Sequence, residues 1–166
     1  MLLLRILHIV AGVYWAGAVF FFVTFLEPSL RDTGPDGGKV MGAMIRRGYM
    51  TAMPIMALIT ILSGIDLMRR VSGNFAGEWF ATRPGMTLST GAVAAVLALL
   101  IGVVVMRPTA VRIGALAAEA QGLDGPARES RMAEAGALRD RARVVGRGVA
   151  LLLVVSVVAM AAARYL

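Results

Sequence analysis

The chain has 166 residues, 58% of them hydrophobic and 16% charged, with a mean hydropathy of +0.77. A water-soluble domain of this size carries about 25% charged residues, so an aqueous globular fold is excluded before any motif is read. Cysteine is absent, which removes disulfides, CxxC redox motifs, thiolate zinc sites and iron–sulfur clusters. The net charge is +7 and sixteen of the seventeen basic residues are arginine. These arginines border apolar runs, and no aromatic or glycine-rich nucleic-acid module accompanies them. The expected partner is the lipid bilayer with its anionic headgroups, and not nucleic acid.

Four apolar stretches are long enough to cross a bilayer, for which about 20 helical residues suffice. The first covers about 6–26, from Ile6 to Leu26. Its Ala16-Gly17-Ala18 resembles a leader cleavage site, but the apolar run continues through Phe20, Phe21, Phe22, Val23 and Phe25 behind a single basic residue, Arg5. A retained span is therefore expected. The turn residues Pro35-Asp36-Gly37-Gly38 then predict the start of a helix that runs into the second span, about 50–68, carrying Met41 and Met44 as well as Met50, Met53 and Met56. Pro54 bends the start of that span. Trp79 and Phe80 fit an interfacial belt, and the third span covers about 86–106. From about 107 to 147 the chain is too long to be a structureless loop. It predicts a charged helical hairpin reversing at Gly122-Leu123-Asp124-Gly125-Pro126, with Arg131–Glu134 and Asp140–Arg143 at pairing distance along a helix. The fourth span covers about 149–163.

The fold class expected is all-α: one integral membrane four-helix bundle, residues 1–166, with helices extended beyond the membrane. Gly12 and Ala16, then Ala94, Ala98 and Gly102, then Ala159 and Ala163 recur four apart, where helices approach closely. Trp15, Tyr14 and the phenylalanines read as lipid contacts and packing. Twelve basic residues fall in the first and third loops against five on the opposite side. The positive-inside rule then puts those loops in the cytoplasm and both termini outside, in a bacterial-type inner membrane.

Candidate chemistry centres on His8, the only histidine. An ionisable residue inside a span is paired, faces a cavity or binds something, and neutral imidazole ligates haem iron and copper. The other reading is a neutral histidine hydrogen-bonded to a neighbouring helix or touching headgroups. Arg5, one turn earlier, is placed to meet a haem propionate. Asp66 lies at a similar depth, and either accepts a hydrogen bond from the imidazole or pairs with Arg69 and Arg70. The methionine series offers soft donors for copper or simple packing. A single histidine excludes a bis-histidine haem within one chain.

Leu7-His8-Ile9, Trp15-Ala16-Gly17 and the run ending at Glu27-Pro28-Ser29-Leu30 resemble the opening helix of the copper-resistance D (CopD-like) superfamily. That superfamily includes small haem-handling membrane proteins related to bacterial protoporphyrinogen oxidase and uncharacterised four-span members. Met53-Pro54-Ile55-Met56 through Leu62-Ser63-Gly64 is similar to the second helix of those proteins. The resemblance covers about the first seventy residues. It implies that His8 is a haem or metal ligand, with haem b or copper as the cofactor and redox or cofactor handling as the function. The alternatives are a non-catalytic accessory subunit of a larger membrane complex, a homo-oligomer among its possible forms, and a small transporter.

Overall fold

The computed structural model describes the backbone of residues 1–166 and every side chain except that of Pro35. Helix α1 (Leu2–Phe21) passes through a π-helical turn (Phe22–Leu26) into α2 (Glu27–Asp32), and α3 (Pro35–Arg46) and α4 (Tyr49–Val71) follow. The short α5 (Gly77–Phe80) leads to α6 (Arg83–Ile101), which continues through a second π-helical turn (Gly102–Met106) into α7 (Arg107–Gln121). The last helix, α8, spans Gly125–Ala162. There is no strand among the described residues. Four helical runs are long and apolar enough to cross a membrane: Leu2–Asp32, Tyr49–Val71, Arg83–Gln121 and Gly125–Tyr165. All four expected spans lie within them.

One expectation is corrected. The segment opened at Pro35 does not run into the second span, because α3 ends at Arg46 and Gly48 adopts a left-handed backbone with φ of +89°. Glycine reaches that conformation without a Cβ penalty and is the usual helix terminator. Met41 and Met44 therefore stand on a different helix from Met50, Met53 and Met56, and there is no single methionine series.

The bundle is assembled from two helical hairpins, α1 on α4 and α6 on α8, joined by α4 against α6 and by α1 with its π turn against α8. Between lipid-facing helices apolar burial supplies little driving force, so close approach and van der Waals contact hold the bundle. The small residues provide it. Ala16, Ala94, Ala98, Ala159 and Ala163 are buried as their spacing predicted, and Gly12 meets Thr60, but Gly102 makes no close approach, since nothing lies within 4 Å of where its Cβ would be. A Cβ at Gly91 would stand 3.0 Å from that of Ala159 and 3.2 Å from the Ser156 carbonyl oxygen. Of the two roles read for Trp15, lipid contact and packing, it has packing: it is only 5% exposed and fills the core with Ala16, Ala57, Ala95, Ala98, Val149 and Leu153, drawn from all four long helices. Tyr14, its neighbour, is exposed.

Two prolines are accommodated in the same way. The Glu27 N–H donates to the Phe22 carbonyl and the Arg107 N–H to the Gly102 carbonyl, five residues back. Pro28 and Pro108 follow directly and have no N–H to give. One residue later, the Ser29 hydroxyl donates to the Phe25 carbonyl and the Thr109 hydroxyl to the Val105 carbonyl, each at 2.7 Å. The π turns make room for the proline rings, and each following hydroxyl bonds back to the carbonyl four residues before it.

Beyond the apolar stretches, α7 and the first half of α8 form the expected hairpin around buried Leu116, Ala120 and Ala135. Four charges close a ring over it: Arg112 with Glu119 (3.6 Å) and Glu134 (3.0 Å), Arg131 with Glu119 (3.4 Å) and Glu134 (3.2 Å). The hydrogen bond from Arg112 is the main cause holding the Glu134 carboxyl below its usual range. Arg143 ties α8 to Glu27 of α2 at 2.9 Å, with both side chains about four-fifths buried, and also reaches Asp140 at 3.3 Å.

Two outcomes follow from the packing and the ring. Gly91→Val should lower the stability of detergent-purified protein by about 1–3 kcal/mol through overpacking, whereas Gly17→Ala, with open space around it, should be neutral in the same thermal melts. A depressed folded-state pKa gives a stabilisation that is present above the ordinary glutamate value of 4.5 and lost as pH falls through the folded value. Amide protection factors in 107–147, corrected for the intrinsic exchange rate at each pH, should therefore fall on acidification below that point, and Glu134→Gln should flatten the dependence. An unchanged pH profile in the variant would refute the role given to Glu134.

Candidate functional site

His8 projects from α1 across to α4, where its Nδ1 stands 2.8 Å from the Thr60 carbonyl oxygen and 3.2 Å from the Ser63 hydroxyl. A carbonyl only accepts, so the assignment of the proton follows: Nδ1–H donates to Thr60 O, and the neutral ring leaves Nε2 with a lone pair. The Ser63 hydroxyl donates to the Ile59 and Thr60 carbonyls within its own helix. The Nε2 atom has no hydrogen-bond partner among the described residues, and it is not sealed in the interior as a buried orphan.

The seat for the ring is made by an absent side chain. A Cβ at Gly64 would lie 2.9 Å from His8 Cε1 and 3.3 Å from Nδ1. One turn along, Gly12 of α1 meets Thr60 of α4, with a would-be Cβ 3.4 Å from the threonine methyl. His8, Gly12, Thr60, Ser63 and Gly64 thus form one patch of the α1–α4 seam. Thr60 occupies its own hydroxyl on the Met56 carbonyl at 2.8 Å, so its carbonyl oxygen, and not its side chain, receives the histidine.

The other two expected site residues do not join His8 by contact. Asp66 is fully engaged by its own helix: Arg69 holds one oxygen at 2.7 Å and Arg70 the other at 2.9 Å. Of the two readings of Asp66, pairing with Arg69 and Arg70 is the one the structure has, and the imidazole bonds the Thr60 carbonyl instead. Arg5 is exposed, one turn before His8, and makes no ion pair among the described residues.

The donor set discriminates between the two expected cofactors. No group of three or more His, Cys, Asp or Glu residues exists among the described residues, so a copper ion at His8 would find no second imidazole or carboxylate chelate there. A haem iron needs only an axial nitrogen, and His8 fits that role, since its Nδ1–H is fixed by a backbone carbonyl in the arrangement that orients ligating histidines. A groove of about 250 Å³ runs beside Gly12, Val13, Ala16, Gly17, Phe20 and Val157. His8 does not line it, and its volume is below the roughly 300–1,000 Å³ of enclosing ligand sites, so a porphyrin on Nε2 would stand at the edge of one chain and not inside it.

Thr60, Ser63 and Gly64 were missed as site residues by reasoning on the sequence. Their signal was present: two hydroxyl residues three apart and an adjacent glycine interrupt an otherwise aliphatic span at the depth of the lone histidine. No family model, curated protein or solved structure matches the chain.

Gly64→Ala and His8→Ala should each weaken the α1–α4 seam by about 0.5–1.5 kcal/mol, the net worth of one such hydrogen bond. Both remove the same contact, so the double variant should lose little more than either single one. Full additivity in unfolding measurements would show that Gly64 does not act through the imidazole.

Proposed function

We propose that the protein is a multi-pass inner-membrane protein that handles haem b, with His8 as an axial ligand. The observation that carries this reading is the Thr60 carbonyl fixing Nδ1–H, which leaves the Nε2 lone pair of the only histidine available at the surface of the bundle. Thr60 and Ser63 orient the ring, and Gly64 leaves room for it. Arg5, exposed and one turn away, offers a cation to a propionate. Haem, when bound, supplies one-electron redox chemistry at its iron. One chain has one histidine, so a second axial nitrogen would come from another copy or from a partner protein. The excess of basic residues in the first and third loops supports an orientation with those loops in the cytoplasm, which puts His8 near the outer face.

A second reading, an accessory subunit of a larger membrane complex, has its own support. Only 17–22% of each apolar window is buried within the chain, leaving wide helix faces for lipid or for other proteins.

Purified protein in mild detergent, titrated with haem, should develop a Soret band that sharpens on dithionite reduction. Asp66→Asn should behave as the parent, and His8→Ala should lose the band while remaining folded by circular dichroism. A parent protein that stays colourless after reconstitution would overturn the haem reading and leave the accessory subunit.

A further inference from the structure

A groove of about 510 Å³ lies along the run from α6 to α7, lined by Val103, Arg107, Pro108, Val111, Arg112 and Ala115. All six residues belong to one helical run. It is a shallow, open face of that run, directly beyond the π turn at Gly102–Met106. The groove starts at Val103, in the last apolar turn of the third span, and crosses the level at which the sequence becomes charged.

Its lining divides into two chemistries. Val103, Pro108, Val111 and Ala115 are apolar and exposed. Of the two cations, Arg112 is shared between Glu119 and Glu134 in the charge ring. Arg107 has no carboxylate within ion-pair distance among the described residues. An unneutralised guanidinium between an apolar trough and the end of the apolar span matches one amphiphile: a phosphate for the arginine, with a hydrocarbon chain on its membrane side.

We infer that this groove binds an anionic phospholipid, its phosphate on Arg107, an acyl chain over Val103 and the carbons of its headgroup over Pro108 and Val111. A net negative lipid is selected over a zwitterionic one because this end of the bundle, with twelve of the seventeen basic residues and eight of the ten acidic ones, keeps a net charge of +4, which favours net negative charge in the lipid. The inference is independent of haem binding at His8.

Native mass spectrometry of the full chain, released from mild detergent with phosphatidylglycerol, phosphatidylcholine or inorganic phosphate added, tests it. One phosphatidylglycerol should be retained about fivefold or more over phosphatidylcholine, with no retention of inorganic phosphate. Arg107→Gln should abolish that preference, Arg107→Lys should keep most of it, and Arg128→Gln, the same charge change elsewhere on this end, should leave it intact. Val111→Glu, which sets a carboxylate one turn from Arg107 at an exposed position, should also abolish it, and it serves if Arg107→Gln does not fold. Equal losses in Arg107→Gln and Arg128→Gln would overturn the site in favour of diffuse charge. Equal retention of the two lipids, or displacement by inorganic phosphate, would overturn the ligand.

Discussion

A peptide carbonyl in hydrocarbon has no water to accept from, and each unsatisfied backbone group there costs several kcal/mol. The irregular features of this chain all answer to that constraint. Pro28 and Pro108 each remove a donor where an apolar run gives way to charge, and in both places the residue before the proline bonds five residues back through a π turn. The Thr60 carbonyl lies in a stretch where hydroxyls already bond back to the helix, and there it also takes the His8 N–H. The lone histidine is held by a backbone group for the same reason: with no carboxylate beside it, a carbonyl is the strongest acceptor within reach.

With backbone needs met internally, the helices are held together by how closely they can approach. Glycine and alanine line the seams, so two helices meet almost backbone to backbone at Gly91 and Ala159, and a ring fits where Gly64 has no side chain. Trp15 is the one aromatic among the buried residues of the central cluster, and alanines from three helices lie in it as well. Specificity comes from that contrast of one bulky aromatic with many small neighbours, since transfer from water does little between surfaces that already face lipid. The charged collar follows aqueous rules instead: a small apolar seam at Leu116, Ala120 and Ala135, closed by ion pairs.

Hydropathy alone located all four long helices, and the Gly122–Pro126 turn and two ion pairs of the collar were legible from spacing, because each depends on residues close in sequence. What escaped depends on contacts between distant ones. The imidazole of His8 and its acceptor are 52 positions apart, and nothing local chooses Thr60 over Asp66. Trp15 has the same neighbours in sequence as a lipid-facing tryptophan would, and only the path of the other three helices buries it. The π turns are visible once Pro28-Ser29 and Pro108-Thr109 are compared, yet neither pair reads as a bulge alone. The break at Gly48 was a local signal passed over: a glycine after two arginines ends a helix even before an apolar stretch.

The two π turns also set a phase. Each inserts a residue beyond the α-helical repeat, and one residue turns everything that follows by about 100° around the helix axis. Glu27 faces Arg143, and Arg112 faces Glu134, with those insertions in place. Shortening either turn by one residue would leave an unbroken, equally apolar helix but aim the charged arm beyond it at the wrong side. The alignment of the collar with the bundle is thus encoded in residue count at two points, where substitution is tolerated more readily than a change in length.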